Sequence, residues 1–261
     1  MLRAFSTAAT GMTGQQMVVD TIAHNLANIN TNGFKRTQLG FQDLLYVKLR
    51  EAGHEVSSGV NSPTGIEIGS GVRVASTTKV FTAGELENTR RDLDLAITGD
   101  GFFQVTMPNG EKRYTRDGSF QRNANGAMVT SSGYYLDPAI SLPTDTVSVS
   151  VGPEGSVTVK NGAGVTSVAG VIQLARFPNP AGLSSEGGNL LAETEASGPA
   201  TVGIPGRQGM GSLEAGFLEK SNVQMVSELV NLITAQRAYE INSRAIKAGD
   251  EMLNTANQLV R

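Results

Sequence analysis

The sequence contains no cysteine and no tryptophan, and aromatic residues make up only 5% of its 261 residues. Without cysteine the chain forms no disulfide, and it offers neither a thiolate ligand for a metal nor a cysteine nucleophile. Hydrophobic residues reach only 39%, whereas glycine occurs 31 times. This composition indicates a thin, spread-out hydrophobic core rather than the dense core of a compact enzyme.

An excess of charge of either sign is also missing. The formal net charge is −3 and no run of lysine or arginine occurs, so we predict no binding to nucleic acid. No stretch of about 18 apolar residues is present, which argues against direct insertion into a membrane. Residues 1–9 lack the apolar segment of a secretory signal. Any export is therefore expected to occur without a cleaved signal peptide.

Residues suited to catalysis or metal binding are few. The only histidines, His24 and His54, lack the spacing of three or four convergent metal ligands. In a strand, Asp92 and Asp94 would share one face, as a pair of catalytic acids does. Because Arg90 and Arg91 directly precede these acids, we favour a solvated or ion-paired edge. We predict no catalytic residue, no metal and no cofactor.

Glycine-rich turns give only a weak signal for nucleotide binding. Residues 69–71 and 209–211 contain Gly-x-Gly, but neither segment lies between a strand and a helix with a third glycine in place. Neither a Gly-x-Ser-x-Gly hydrolase turn nor a Gly-Lys-Ser/Thr phosphate loop occurs. These glycines are therefore assigned to turns, and the protein to a non-enzymatic class.

Near the N-terminus, apolar residues recur at alternating spacings of three and four, which is a heptad-type pattern. It predicts a helix over residues 2–27, roughly 39 Å long. Gly11 and Gly14 interrupt it, each costing about 1 kcal/mol relative to alanine. The positions assigned to assembly on this helix are Leu2, Phe5, Ala9, Met12, Val19 and Leu26.

The same spacing near the C-terminus predicts a longer helix, capped by Ser221 or Asn222 and roughly 58 Å long. Its assembly positions are Leu232, Tyr239, Ile246, Leu253 and Val260. Small or polar residues alternate with them, namely Ala235, Asn242, Gly249 and Ala256. Because this apolar stripe requires a partner, we predict that the two terminal helices pair as a coiled coil. We further expect contact with other copies, the alternative being packing within one chain alone.

The middle of the chain has short runs rich in valine, threonine and isoleucine, which predict β-strands. The alternation in residues 147–151 and 156–159 is typical of strands with one buried face. Turn pairs predict hairpins; they are Asn109-Gly110, Asp117-Gly118, Asn125-Gly126, Ser132-Gly133 and Asn161-Gly162. Residues 178–211 lack a pattern and are predicted to form long loops.

These patterns together predict an α+β fold in which a β-rich domain is inserted between two long helices. Residues 1–34 together with 222–261 form a discontinuous helical assembly domain, 35–75 an extended linker or insert, and 76–221 a β-rich outer domain. Residues 46–65 have few apolar side chains. They are expected to be flexible or to become ordered only against another subunit.

Residues 25–35, with the sequence NLANINTNGFK, resemble the signature that ends the first helix in flagellar rod and hook axial proteins. In this signature Asn28, Asn30 and Thr31 supply side-chain hydrogen bonds that end a helix. Gly33 can take a positive φ, and Phe34 anchors the departing chain. The resemblance continues through residues 94–103, 114–120, 229–231 and 236–240, so it covers nearly the whole chain.

The resemblance implies a self-polymerising structural protein. Its subunits would form a helical tube with the paired helices inside and the β-domain outside, located in the flagellar basal body and spanning the periplasm. The implied partners are further copies of the chain, other axial proteins of the proximal rod and hook, the surrounding ring proteins and the flagellar export apparatus. The insert would make the tube stiff.

Two alternative interpretations remain open from the sequence. One is a proximal rod or short hook-type protein of the same family. The other is an exported β-rich binding or adhesin-like module whose terminal helices fold back on a single copy of the chain.

Overall fold

The computed structural model describes residues 2–51, 55–57, 60–61 and 63–259. The chain has an α+β fold with one long helix near each end and a β-rich middle, which confirms the predicted class. It divides into two compact units. The helical unit comprises residues 1–26, 37–78 and 224–261, and the β unit comprises residues 27–36 and 79–223. Most of the predicted linker thus lies within the helical unit.

The two helices are α1 (Leu2–Ala27, 26 residues) and α2 (Met225–Leu259, 35 residues). The bounds of α1 agree with the sequence pattern, and α2 is roughly 52 Å long. The predicted start of α2 is wrong, because the helix begins at Met225, beyond both proposed capping residues. Its first turn instead carries the acidic Glu228, where a negative charge favours the helix dipole.

An antiparallel ribbon follows α1 in the chain. Its strands are β1 (Thr37–Asp43), β2 (Val47–Arg50), β3 (Glu55–Ser57), β4 (Val60–Asn61), β5 (Ile66–Ile68) and β6 (Val72–Lys79). The pairs are nested, with β1 on β6 outermost, then β2 on β5, then β3 on β4. Val47 lies opposite Ile68. The described part of residues 46–65 therefore includes paired strands within a single chain.

The β unit contains the remaining strands. They are β7 (Leu86–Asn88), β8 (Leu95–Thr98), β9 (Phe102–Thr106), β10 (Lys112–Thr115), β11 (Phe120–Arg122), β12 (Met128–Thr130), β13 (Tyr135–Leu136), β14 (Thr146–Val151), β15 (Ser156–Asn161) and β16 (Thr166–Val171). They continue with β17 (Leu174–Arg176), β18 (Ser184–Gly187), β19 (Leu190–Ala192), β20 (Thr201–Gly203), β21 (Ser212–Ala215) and β22 (Phe217–Glu219). A short 3₁₀ helix spans Pro180–Gly182.

The largest sheet of the β unit has nine strands. Its main path runs β11-β12-β13-β9-β10-β19-β18, and β17 pairs with both β9 and β20. A separate three-stranded sheet has the order β14-β15-β16. The strands β21 and β22, which lead towards α2, pair with β8 and β7. The last part of the β unit is therefore held by strands near its start.

The hydrophobic core of the β unit lies around β9. Phe103 and Phe120 meet edge to face with ring centroids 5.1 Å apart, and both rings are fully buried. Val157 and Val159 are buried as the alternation of β15 predicts. Burying such side chains contributes about 1.5–3 kcal/mol each. Both clusters of buried apolar side chains found among the described residues lie in the β-rich middle of the chain.

The glycine-containing turns are mostly confirmed as hairpins. Those at 109–110, 125–126, 132–133 and 161–162 join antiparallel neighbours in the sheets. The hairpin predicted at Asp117-Gly118 is wrong, because the strands on either side of this turn, β10 and β11, pair with other strands. The Gly118 carbonyl oxygen instead accepts from the Leu95 N–H at 3.0 Å. The loop prediction for residues 178–211 is also wrong in part, since β18, β19 and β20 form there. β18 and β19 pair with each other as a hairpin, and β19 and β20 also pair with β10 and β17.

Candidate functional site

The signature segment (residues 25–35) turns the chain at the end of α1. The Thr31 N–H donates to the Asn28 carbonyl oxygen at 3.1 Å, and the Phe34 N–H donates to the Thr31 carbonyl oxygen at 3.3 Å. The Thr31 hydroxyl also donates to Asn28 Oδ1 at 3.1 Å. These bonds replace the helical ladder and end the helix. Asn30 is exposed in the same turn.

Gly33 is fixed as glycine by its backbone conformation. Its φ is 66°, and a Cβ atom at this position would lie 2.5 Å from the carbonyl carbon of Arg116. The Gly33 N–H donates to the Glu219 carbonyl oxygen at 2.7 Å, and the adjacent Phe34 is buried. Only glycine adopts this conformation without strain. The turn directs the chain into the interior of the β unit.

Three charged side chains meet in that interior and form the buried ion cluster (Lys35, Arg116 and Glu219). Lys35 Nζ lies 2.6 Å from Glu219 Oε1, and Arg116 Nη1 lies 3.3 Å from Glu219 Oε2. The exposed fractions of the Lys35 and Glu219 side chains are 3% and 1%. Charged groups are rarely buried to this degree without partners. One carboxylate here serves two cations.

Further hydrogen bonds complete the buried ion cluster. The Gly84 N–H donates to Glu219 Oε1 at 2.9 Å, and Arg116 Nη2 donates to the Gly99 carbonyl oxygen at 2.7 Å. Burial lowers the pKa of Lys35, and attraction to Glu219 opposes that effect. Burial likewise lowers the pKa of Arg116. Such a cluster is tolerated in the interior only while each charge keeps its partner.

Asn222 joins three segments of the β unit. Its Oδ1 accepts from the Arg36 N–H at 2.7 Å, and its Nδ2 donates to the Val80 carbonyl oxygen at 2.7 Å. The Nδ2 also donates to the Thr82 hydroxyl at 3.0 Å. The sequence pattern suggested a helix cap for Asn222, but its side chain bonds to chain far away in sequence. This role was missed because nothing local indicates it.

The predicted seam of α2 coincides with the least exposed line of this helix. Ala235 and Gly249 are buried, whereas Leu232, Asn242, Ile246 and Leu253 are half-buried. Tyr239 is exposed. Val260 lies outside the described residues, and the side chain of Ala256 is likewise not among those described. Small residues at 235 and 249 permit a close approach along this line.

The two helices approach each other at two positions within the helical unit. A methyl group on Gly249 would lie 2.8 Å from the Phe5 ring, and one on Gly11 would lie 2.8 Å from the Asn242 amide. Phe5 lies before Gly11 in α1, whereas their partners Gly249 and Asn242 follow the reverse order in α2. The two helices therefore run antiparallel. Gly11, which weakens an isolated helix, here permits close packing.

The seam positions of α1 are less well covered than those of α2. Phe5, Met12, Val19 and Leu26 are half-buried and Ala9 is exposed, while the side chain of Leu2 is outside those described. The residue of α1 with the least exposed apolar side chain is Ile22. It lies three residues after Val19 and four before Leu26, so it borders the predicted seam.

The ribbon explains why another face of α1 is buried. Asn25 Nδ2 donates to the Thr37 carbonyl oxygen, and Asn25 Oδ1 accepts from the Thr37 N–H, both at 2.9 Å. The Asn25 side chain thus forms with the Thr37 backbone the pair of hydrogen bonds that a neighbouring strand would form. Further along, a methyl group on Gly14 would lie 3.1 Å from the Phe41 ring. Strand β1 and its neighbours therefore cover the face of α1 that carries Gly14 and Asn25.

Three family models match the chain in successive segments. Residues 5–35 match "Flagella basal body rod protein", residues 96–159 match "Flagellar hook protein FlgE/F/G D1 domain", and residues 214–259 match "Flagellar basal body rod FlgEFG protein C-terminal". The buried ion cluster takes one residue from each of these segments. It therefore links all three parts that the family models describe.

The similarity to this family also extends over the full length of known proteins. The chain is 46% identical over 264 residues to the flagellar basal-body rod protein FlgG of Borreliella burgdorferi, covering 100% of both chains. It is 45% identical to FlgG of Caulobacter vibrioides, covering 99% of both chains, and 35% identical to FlgG of Bacillus subtilis over the full length of both. The chain belongs to the flagellar basal-body rod protein family. This family is structural and not enzymatic.

The structure separates the two acids considered for catalysis. Asp92 is exposed in a turn, whereas Asp94 is buried with one oxygen 3.8 Å from Arg91 Nε. The expectation that both carboxylates share one strand face is wrong, because the strand begins only at Leu95. Asp92 and Asp94 thus lie in different environments, and they do not form a dyad.

The described part of this rod-family protein lacks both a cluster of metal ligands and a membrane-spanning helix. His24 is exposed on α1, and His54 lies outside the described residues. No group of three or more histidine, aspartate or glutamate side chains suited to a metal occurs among the residues described. Neither α1 nor α2, over the range described, is long and apolar enough to cross a membrane.

Replacing Asn222 by alanine is expected to lower the free energy of unfolding of the β unit by about 2–3 kcal/mol. The reason is that the Arg36 N–H and the Val80 carbonyl oxygen both lose a partner, and each unpaired buried group costs about 1–3 kcal/mol. Urea denaturation followed by circular dichroism measures the change. The matched control is Asn109→Ala in an exposed turn, expected to cost about 1 kcal/mol or less. Equal losses for the two variants would contradict the role of Asn222.

Proposed function

We propose that this protein is the structural subunit of the distal rod of the bacterial flagellar basal body. It polymerises into a stiff helical tube that transmits torque from the motor to the hook. The full-length similarity to proteins named FlgG supports this assignment. The length of the chain and the ribbon over residues 37–79 support a distal rod protein over a proximal rod or short hook-type protein.

The exposed face of α2 carries the proposal. Val226, Val230, Ile233 and Ile241 lie on the side opposite the half-buried seam, and they are 50–75% exposed. The first three follow a helical spacing of four and three, so they form one apolar patch. In a single copy this patch faces water, and exposed patches of this kind mark interaction sites. Contact with further copies would cover it.

The approach of α1 to α2 at Gly11 and Gly249 supports a coiled-coil-like inner pair in each subunit. The seam of α2 is covered there, while its opposite face remains available. Contacts between unlike faces of identical subunits generate open helical polymers when the rotation does not close a ring. One pair of helices per copy thus supplies both an internal seam and an external contact.

The ribbon supports a role in stiffness. Leu45 is 89% exposed, and Tyr46, Leu49 and Ile66 are also exposed. These apolar side chains on a two-stranded arm would gain burial by packing on neighbouring subunits in the tube. Additional contacts between neighbours resist bending. Labelling of isolated basal bodies would distinguish a distal from a proximal position.

The proposed partners follow from the family. They are further copies of the chain, the other axial proteins of the proximal rod and hook, the surrounding ring proteins and the flagellar export apparatus. The proposed location is the basal body where it spans the periplasm. Electron microscopy of the purified chain under assembly conditions tests the central claim, because filaments or tubes should form.

Replacing Ile233 by serine is expected to raise the critical concentration for polymerisation about tenfold or more. Burial of one isoleucine at a subunit contact contributes about 1.5–3 kcal/mol, and 1.4 kcal/mol corresponds to a factor of ten. Sedimentation of assembled protein over a concentration series measures the effect. Val147→Ser, which removes an exposed valine from β14, serves as the control and should leave the critical concentration unchanged. If Ile233→Ser assembles like the unmodified chain, the α2 patch is not a contact.

A further inference from the structure

An open groove of about 420 Å³ lies on the β unit. Three arginines line it, and we call it the arginine groove (Arg90, Arg91 and Arg122). Leu142 and residues 146–149 of β14 contribute to its lining, so the charged groups lie beside apolar side chains and strand backbone. A volume of this size is typical of clefts that bind a ligand.

The charges around the arginine groove do not cancel. The buried carboxylate of Asp94 has one oxygen 3.8 Å from Arg91 Nε, and Asp92 is the one acid among the residues that line the groove. Neither Arg90 nor Arg122 forms an ion pair within the part of the chain that the structure describes. Three guanidinium groups therefore stand against two carboxylates. The excess of positive charge favours an acidic ligand.

The turn that carries Arg90 is fixed by hydrogen bonds. The Thr89 N–H donates to the Gly216 carbonyl oxygen at 2.9 Å, and the Gly216 N–H donates to the Asp94 carbonyl oxygen at 2.8 Å. The Arg90 N–H donates to Asn88 Oδ1 at 3.1 Å. Arg90 has a φ of 58°, which residues other than glycine rarely adopt. Strained backbone of this kind is concentrated at functional sites, and a fixed turn binds a ligand at a lower entropic cost.

Strand β14 supplies a free sheet edge at the arginine groove. It is the terminal strand of the β14-β15-β16 sheet, so one of its edges has no neighbouring strand among the described residues. The Val149 N–H donates to Asp92 Oδ2 at 3.5 Å, a distance at which a hydrogen bond is weak. A register shift leaves Val147 without a partner in β15, and its side chain is 73% exposed. An incoming strand with a better acceptor can therefore replace Asp92.

We propose that the arginine groove binds an extended acidic segment of a different protein. The segment adds to β14 as a further strand, and one of its aspartate or glutamate side chains pairs with Arg90 and Arg122. In such complexes main-chain hydrogen bonds supply affinity and side-chain contacts supply specificity. Arginine suits this task because its planar guanidinium binds a carboxylate through two hydrogen bonds. The partner is a different protein because the contact between copies is assigned to α2.

Fluorescence polarisation with a labelled peptide tests the site on the full chain, kept below the concentration at which it polymerises. The first probe is Ser-Val-Glu-Val-Ser, labelled at its N-terminus and amidated at its C-terminus. The second probe has glutamine in place of glutamate. The glutamate probe should bind about tenfold more tightly than the glutamine probe, because hydrogen bonds to a charged acceptor are roughly twice as strong as neutral ones.

Three variants with changes at exposed side chains test the assigned roles and retain the fold. Arg122→Gln should weaken binding of the glutamate probe about tenfold and leave binding of the glutamine probe unchanged. Asp92→Asn should tighten binding of the glutamate probe about threefold, because it removes a competing negative charge. The matched control is Arg207→Gln, which removes an exposed arginine paired with Glu154. It should bind both probes like the unmodified protein.

The inference is overturned if the two probes bind equally well, or if Arg122→Gln binds the glutamate probe as tightly as Arg207→Gln does. It is also overturned if a single glutamate blocked at both ends displaces the probe as effectively as the unlabelled peptide, since the sheet edge would then contribute nothing. Each measurement uses the monomeric chain, so its outcome is independent of the proposed polymerisation.

Discussion

Replacing Glu219 by glutamine is expected to lower the free energy of unfolding of the β unit by about 3–5 kcal/mol. The substitution keeps the size of the side chain and an acceptor for the Gly84 N–H. It removes the negative charge that compensates Lys35 and Arg116, which then remain buried without a counter-charge. The free energy of unfolding is measured by urea denaturation with near-ultraviolet circular dichroism as the signal.

The control for this substitution is Glu87→Gln. Glu87 also pairs with a lysine, since its Oε2 lies 3.1 Å from Lys220 Nζ, but both side chains are about half exposed. Exposed pairs contribute about 0–1 kcal/mol, so this variant should unfold at nearly the same urea concentration as the unmodified protein. The buried ion cluster would lose its assigned importance if Glu219→Gln were no less stable than Glu87→Gln.

Deleting residues 224–261 is expected to abolish polymerisation and to leave the β unit folded. The deletion removes α2 with both its seam and its exposed apolar patch. The deletion starts at residue 224 and not at the predicted helix start. Asn222 and Glu219, on which the β unit depends, are therefore retained. Negative-stain electron microscopy should show no tubes, and circular dichroism should show the β signal with most helical signal lost.

Addition of a synthetic peptide covering residues 224–261 provides the matched rescue. If α2 supplies the contacts, the peptide should restore some co-assembly with the truncated chain at high concentration. A truncated protein that forms rods without the peptide would refute the role of α2. Truncated protein that is monomeric but unfolded would instead show that the β unit requires α2.

The sequence predicted the helices better than it predicted what covers them. The α2 seam at Leu232, Ala235 and Ile246 corresponds to the covered line because its apolar spacing is continuous. For α1 the periodicity indicated one face, but the buried residues Gly14 and Asn25 lie on another. That face is buried by the ribbon, through contacts such as Asn25 with Thr37. The periodicity of a helix carries no information about a later strand that packs against one of its faces.

The turns illustrate the same limit in the β unit. Asn-Gly and Ser-Gly pairs predict hairpins well because they favour the backbone conformation of tight turns. Asp117-Gly118 has the same local chemistry, yet its neighbours pair with distant strands. Strands β18 to β20 were missed because segments of three or four residues become strands only when a partner strand is present. For β19 and β20 these partners include β10 and β17, which come earlier in the chain.

The buried ion cluster was not predictable from any local pattern. Lys35 and Glu219 are 184 residues apart, and Arg116 and Glu219 are 103 apart. Lys35 and Arg116 lie inside segments that resembled the flagellar family, and that was the only available signal. Nothing in those segments distinguished a buried cation from an exposed one.

The separation between Lys35 and Glu219 has a consequence for synthesis. When the signature segment has been synthesised, the ribosome must still add nearly all of the remaining chain before Glu219 is present. Until then Lys35 and Arg116 have no counter-ion, and the Gly33 N–H has no acceptor. Contacts between such distant residues close late. The nascent polypeptide therefore completes its β unit only when nearly all of the chain has left the ribosome.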